Sequence, residues 1–313
     1  MLKYVIRRLL VMIPVLLGVT VLITLLINLS PGDPARAALG AQADAQAVAN
    51  LRQEIGLDQP VYIRYIEWVA GVLQGDLGTS IVTGEPVNQM IMERLPATLE
   101  LSIVAIAITF VIALPLGVIS AVRQYTWMDT GSMVFAIFWL SMPSFWLGLI
   151  LILLFSVELG ITPISGRSGT IFTVEWLSYL ALPAFAIGAR RAGLLTRLTR
   201  SSMLEIINEE YIRTAKGKGI GGRAVIYTHA MKNAMIPIAT LVGLQIPMVL
   251  SGSVIIEYVF SWPGIGRLLV DSVSRRDYPV VQGIVLVYAV IVLFANLIVD
   301  IAYTQFDPRV TYD

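Results

Sequence analysis

The residues best placed to do chemistry in this chain are few, and they lie in two settings. One is a polar run, Glu205–Pro237 (EIINEEYIRTAKGKGIGGRAVIYTHAMKNAMIP), set between long apolar stretches. Its acids, Glu205, Glu209 and Glu210, precede its bases, Arg213, Lys216 and Lys218. That order suits a helix dipole, and the first part of the run reads as one short helix. Glu209 and Arg213 stand at i, i+4 and are expected to pair on its surface. Ile207, Tyr211 and Ala215 form a narrow apolar stripe on another face. Gly217, Gly219, Gly221 and Gly222 then turn the chain. Such a segment is either a solvated connector or a docking knob that a soluble partner grips. The second setting is the interior of the apolar stretches, where Ser141 and Ser144 flank Pro143 and where Gln245, Ser251, Ser253, Asn296 and Asp300 occur. A polar side chain in hydrocarbon is costly, so it marks a pathway or bonds one helix to another. Both readings stand for Gln245 and Ser251. Ser144, Gln245, Ser251 and Ser253 are the candidates to line a passage.

Other chemistries find little support. There is no cysteine and one histidine, His229. A metal site calls for several ligands and a Ser/His nucleophile for a histidine within reach of its serine, so His229 near Lys232 reads as structural or interfacial. No GxxxxGK[ST] phosphate loop occurs and no GxGxxG follows a strand. The chain is therefore expected to bind no cofactor and to catalyse nothing by itself. Basic residues track membrane sides rather than forming a nucleic-acid patch.

Long apolar elements must position these residues. Of 313 residues, 57% are hydrophobic and 14% charged, where a soluble domain carries about a quarter charged. Mean hydropathy is +0.78. A crossing needs about 20 apolar residues, and six stretches qualify: Leu9–Leu29, Ala97–Ala121, Met133–Val157, Leu177–Leu198, Met235–Ile256 and Val280–Ala302. The first is too long for a signal peptide's apolar core, and SPGDPAR follows it in place of a small-residue cleavage site. Ser30–Pro96 is polar to amphipathic, with helical periodicity over Ala45–Ile55 and Tyr62–Leu73 and glycine or proline breaks between. It reads as a small folded insertion whose Tyr62, Tyr65 and Trp68 suit an interfacial belt.

Charge sets the orientation. With the N-terminus in the cytoplasm, that side holds Lys3, Arg7, Arg8, Arg123, Arg190, Arg191, Arg197, Arg200, Arg213, Lys216, Lys218, Arg223, Lys232 and Arg309. The outer side holds Arg36, Arg52, Arg64, Arg94, Arg167, Arg267, Arg275 and Arg276. This is the positive-inside bias. Six crossings then place both termini and the Glu205–Pro237 run in the cytoplasm.

The run resembles the EAA-type coupling loop of binding-protein-dependent ABC importer permeases, and in particular the peptide/nickel subgroup, whose pattern is close to EYxRTAxAKG, then a histidine, then xNAxIP. Here Glu210-Tyr211-Ile212-Arg213-Thr214-Ala215-Lys216-Gly217-Lys218-Gly219 is followed by His229, Asn233, Ala234 and Pro237. The likeness extends along the chain: RRLL near the N-terminus, Ser30-Pro31-Gly32-Asp33-Pro34, Leu57-Asp58-Gln59-Pro60, Gly75-Asp76-Leu77-Gly78, Trp262-Pro263-Gly264-Ile265-Gly266, Asp277-Tyr278-Pro279 and Asp307-Pro308-Arg309. One departure is Gly217, where the family usually has alanine.

The resemblance implies an all-α polytopic membrane protein of the ABC transmembrane type-1 fold, with six transmembrane helices and a folded extracytoplasmic insertion after the first. Its parts would be a first helix over 1–30, the insertion over 31–96, a core over 97–302 that holds the coupling loop at 199–234, and a tail over 303–313. It implies a second, homologous permease subunit, two ATPase subunits that bind ATP and Mg, a solute-binding protein, and a peptide-like solute. In that reading Glu209, Glu210, Tyr211, Arg213, Thr214, Ala215, Lys216, Gly217 and Gly219 meet an ATPase, with a coupling helix at about Asn208–Gly217 and with Ala215 and Gly219 allowing close approach. Asp76, Gly78 and Trp262 meet the binding protein. The alternative is an ion-coupled secondary transporter of a small polar solute, which would prefer ionisable residues near the bilayer centre and inverted repeats.

Overall fold

The computed structural model of the chain describes residues 2–29, 32–40 and 42–306. Among these residues all regular secondary structure is helical, apart from one antiparallel bridge between Thr79 and Pro86. The Ser30-Pro31 start of one motif and the tail from Asp307 lie outside the described residues. Helices over Tyr4–Leu29, Val87–Val122 and Tyr278–Ile301 are long and apolar enough to cross a membrane. A fourth crossing is added if the bent pair Trp127–Ser141 and Ser144–Glu158 counts as one. The chain forms two compact units: Met1–Leu99 with Pro263–Leu293, and Glu100–Trp262 with Phe294–Asp313.

The first unit begins with α1, Leu2–Leu29, and continues through α2, Pro34–Leu39, α3, Ala45–Glu54, and α4, Val61–Leu73. Helix α2 starts where Asp33 accepts a hydrogen bond from the Ala35 N–H at 3.0 Å and Pro34 occupies the first turn, the usual chemistry of a helix start. Helix α4 packs on α1, where the hydroxyls of Tyr65 and Thr20 lie 3.0 Å apart. The chain then makes a turn over Thr79–Pro86 and enters α5, Val87–Val122. The helix thus begins at Val87, well before the apolar stretch expected from Ala97. This unit also holds α12, Ile265–Arg275, and the start of α13, Tyr278–Phe306. Val87, Met90, Ile91, Ile265, Leu268, Val280 and Ile284 form its buried core. Asp277, between α12 and α13, pins the turn: its carboxylate accepts from the Ser80 hydroxyl and, at 3.0 Å, from the Ile81 N–H.

The second unit is a helical cluster around α8, Val174–Ile207. Against it pack α6, Trp127–Ser141, α7, Ser144–Leu151, and α11, Met231–Val259. The stretch Met133–Val157, expected as a single span, is broken: α6 and α7 meet at 100°. Pro143 has no N–H to continue the ladder, and it holds Met142 in extended backbone at ψ 128°. A π-helical segment, Ile152–Glu158, prolongs α7. Close approach to α8 depends on glycine: a Cβ at Gly193 would strike the Ala136 carbonyl, and one at Gly117 would strike the Thr199 side chain. The expected spans Leu177–Leu198 and Met235–Ile256 lie inside α8 and α11.

Candidate functional site

Helix α8 ends at Ile207, the chain turns at Asn208 and Glu209, and α9 runs from Glu210 to Gly217. The single helix expected to carry Glu205 together with Glu209 and Glu210 is therefore two, with Glu205 on α8. The break rotates the apolar face. Ile212 and Ala215 are 0% and 8% exposed and join a core with Val118 and Ala121 of α5, Leu195 and Met203 of α8, and Ala234 and Ile238 of α11. The expected stripe of Ile207, Tyr211 and Ala215 is corrected accordingly. Tyr211 stays 42% exposed, and its hydroxyl accepts a hydrogen bond from the Asn233 side-chain amide at 2.6 Å.

The outer face of α9 carries Glu209, Glu210, Arg213, Thr214, Lys216 and Gly217, all exposed. Glu209 and Arg213 form no ion pair; the carbonyl of Glu209 instead accepts from the Arg213 N–H at 3.2 Å. Acids at the start and Lys216 at the end keep the favourable dipole order. Gly219, at φ +78°, closes the helix: Gly219 N–H donates to Lys216 O at 3.0 Å and Ile220 N–H to Ala215 O at 3.3 Å. This is the pairing of a Schellman stop, which needs a left-handed residue at that position. Ala215 and Gly219, expected to face a partner, thus serve the helix itself: Ala215 faces the core and Gly219 ends the turn. Gly217 has open space where a Cβ would project. After α9, a short helix α10, Gly222–Ala224, and a π-helical segment, Val225–Ala230, lead into α11.

The candidates for a passage are distributed over α7 and α11, which pack together. Ser144 is the first residue of α7 and half-buried. Gln245 on α11 is 6% exposed, and among the described residues its side-chain N–H group has no hydrogen-bond partner. Ser253 is fully buried, and its hydroxyl donates to Glu257 at 3.0 Å. The side chain of Ser251 lies outside the described residues. Glu257, one residue past the expected span Met235–Ile256, lies in the last turn of α11 and is 0% exposed. Its i, i+4 spacing from Ser253 was the available signal.

Of the three residues expected to meet a binding protein, two are at the surface. Asp76 is exposed and accepts from the Gly78 N–H at 2.8 Å. Gly78 is held at φ +92°, with Pro279 beside it. Trp262 is 0% exposed, one of the largest fully buried side chains in the protein. Its ring is a core element and not a docking surface.

The chain matches two family models: one described as binding-protein-dependent transport system inner membrane component, over residues 113–312, and one described as the N-terminal part of such membrane components, over residues 1–102. It is 43% identical over 312 residues to the glutathione transport system permease protein GsiC of Salmonella choleraesuis, covering all of both chains. It is 42% identical to the oligopeptide transport system permease protein AppB of Bacillus subtilis, over 316 residues, and to the dipeptide transport system permease protein DppB of Alkalihalophilus pseudofirmus, over 333 residues, again covering all of both chains. The fold is similar to that of a chain of the MetNI methionine ABC transporter in an inward-facing form, with TM-score 0.55 and 15% identity over 70% of this chain and 97% of that one. A chain of an amino acid ABC transporter solved with histidines gives TM-score 0.51 and 15% identity, over 71% and 94%.

Proposed function

The chain belongs to the family of binding-protein-dependent transport system inner membrane components, and from that premise we propose how it works. It is an all-helical, multi-pass permease subunit of an ABC importer in the inner membrane. In our reading it moves a peptide-like solute inward. Glutathione, oligopeptides and dipeptides are what its full-length relatives are named for. A second, homologous permease completes the passage, two ATPase subunits hold ATP and Mg, and a solute-binding protein delivers the load. This chain itself binds no cofactor.

The observation that carries the reading is the two-faced α9. Its charged outer face is exposed, while Ile212 and Ala215 are sunk in a core shared with α5, α8 and α11. A groove of an ATPase that moves α9 therefore moves those helices with it. Glu209, Glu210, Arg213, Thr214, Lys216 and Gly217 meet the groove, and Tyr211 sets the tilt of α9 through Asn233. Gly219 contributes by ending the helix. When the ATPase subunits close on nucleotide, the helices re-pack and the open side of the passage switches. Gln245, whose buried amide has no partner among the described residues, is the best-supported contact for a peptide carbonyl; Ser144 and Ser253, on the packed helices α7 and α11, and Ser251 are the further candidates.

Six crossings are proposed, by α1, α5, the bent α6–α7 pair, α8, α11 and α13, with both termini and α9 in the cytoplasm. The helices of Pro34–Leu73 then lie outside, and the Asp76–Gly78 turn is the docking point for the binding protein.

Because the chain has no cysteine, a single Thr214→Cys variant tests both claims. A membrane-impermeant thiol reagent should label it from the cytoplasmic side alone, and a photo-cross-linker attached there should capture an ATPase subunit in the assembled transporter. Labelling from outside, or no capture of the ATPase, would overturn the assignment.

A further inference from the structure

The connection between α5 and α6 holds a carboxylate that the function above does not use. Asp129, in the first turn of α6, is 6% exposed. Arg200 of α8 grips it with a fork: Nε donates to Oδ1 at 2.8 Å and Nη2 to Oδ2 at 2.9 Å. The Ser120 hydroxyl at the end of α5 donates to Oδ1 at 2.5 Å, and the Tyr125 N–H donates to Oδ2 at 3.0 Å. Tyr125 itself sits in the left-handed region, at φ 64°. One side chain thus fastens the end of α5, the connecting turn and the start of α6 to α8. Arg200 lies two turns before α8 ends and the chain turns into α9.

Apolar packing alone would let these helices slide. The contacts beside the carboxylate are small: Gly117 meets Thr199, and Gly193 meets the Ala136 backbone. A bidentate charge pair has one register and one orientation, and a half-broken buried pair is strongly unfavourable. Such a pair therefore tolerates motion of the fastened helices together but opposes motion between them.

We propose that Asp129 and Arg200 are positioning residues of the transport cycle: they clamp α5, α6 and α8 into one body, so that displacement of α9 reaches the α6–α7 break where Ser144 lies. The inference rests on the reading of α9 as the part an ATPase moves. The clamp transmits; it touches neither solute nor nucleotide.

The test uses the complete transporter, with both permeases, the ATPase pair and the binding protein, in proteoliposomes, fed a labelled dipeptide or glutathione. Asp129→Asn keeps the shape and removes the charge, and Arg200→Lys keeps the charge and removes the fork. Both should assemble and hydrolyse ATP while moving roughly fivefold less solute per ATP, the lower end of couplings between sites. Arg167→Gln, which breaks the Arg167–Glu100 pair elsewhere in the same unit, should leave that ratio alone. An unchanged ratio in both clamp variants overturns the proposal, and so does loss of assembly in both, which would make the pair a plain stabiliser. Failure of α9 itself shows separately: the Thr214→Cys cross-link would then miss the ATPase. A cross-link that forms beside an unchanged ratio removes the clamp alone.

Discussion

The hydroxyl of Tyr211 on α9 accepts a hydrogen bond from the side-chain amide of Asn233 on α11, at 2.6 Å and 22 residues along the chain. It is the polar counterpart of the apolar contacts made by Ile212 and Ala215. The pair is exposed, so its net worth is modest, about 0.5–1.5 kcal/mol. Its direction matters more, because it fixes α9 against the helix that carries Gln245. Tyr211→Phe should leave the amount of protein in the membrane unchanged and lower thermal stability slightly. It should also reduce solute moved per ATP. Equal coupling in wild type and Tyr211→Phe, measured in proteoliposomes, would leave the bond without a role in transmission.

The two glycines that close α9 should respond to alanine with opposite sign. Gly219 is held at φ +78°, where a Cβ costs about 1–2 kcal/mol. Gly219→Ala is therefore destabilising, and Gly219→Asn, which tolerates that backbone better, should recover part of the loss. Gly217 is helical with empty space around its missing Cβ, so Gly217→Ala should stabilise α9 by up to about 1 kcal/mol. Thermal unfolding of the purified transporter reads both. A loss of stability in Gly217→Ala would mean that the last turn of α9 is not the helix described.

The sequence made some of this site legible. The ordered charges and the glycine stop of α9 are local signals, and both hold. So do the helical periods of the insertion, where Ala45–Ile55 and Tyr62–Leu73 correspond to α3 and α4 within a residue. The buried face of α9 was missed because nothing at Asn208 or Glu209 announces a break; neither is glycine or proline, and one unbroken helix puts Tyr211 where Ile212 belongs. Pro143 is a local reason for a kink, but an angle of 100° is fixed by what α6 and α7 pack against, not by proline alone. The Asp129–Arg200 and Ser80–Asp277 contacts join residues 71 and 197 positions apart, and no local pattern records such a pairing. Trp262 is expected to meet the binding protein from the resemblance of its motif alone, whereas a tryptophan fills a core equally well.

Asp277 should prove essential to the first unit rather than to the passage. Its carboxylate is 3% exposed and holds the Ser80 hydroxyl and the Ile81 N–H. Asp277→Ala strands both donors, at about 1–3 kcal/mol for a buried group left unpaired. The turn at Thr79–Pro86 then loses its anchor close to Asp76 and Gly78. Membrane insertion and basal ATP hydrolysis should persist, while the affinity of the binding protein for the assembled transporter falls. Undiminished docking in Asp277→Ala would separate this turn from delivery.

Gln245 separates a passage-lining role from simple helix packing. Its amide N–H group is buried without a partner among the described residues, which is a standing cost unless something else uses it. Replacing the whole side chain by a similar apolar one removes that cost, so Gln245→Leu should leave stability equal or higher. If the amide waits for solute, transport should fall in the same variant, and the fall should appear in solute moved per ATP with the binding protein saturating. This pairing of better stability with worse function is characteristic of a functional polar group and not of a structural one. A Gln245→Leu transporter that is both less stable and fully active would reverse the assignment and make Gln245 a bond between helices.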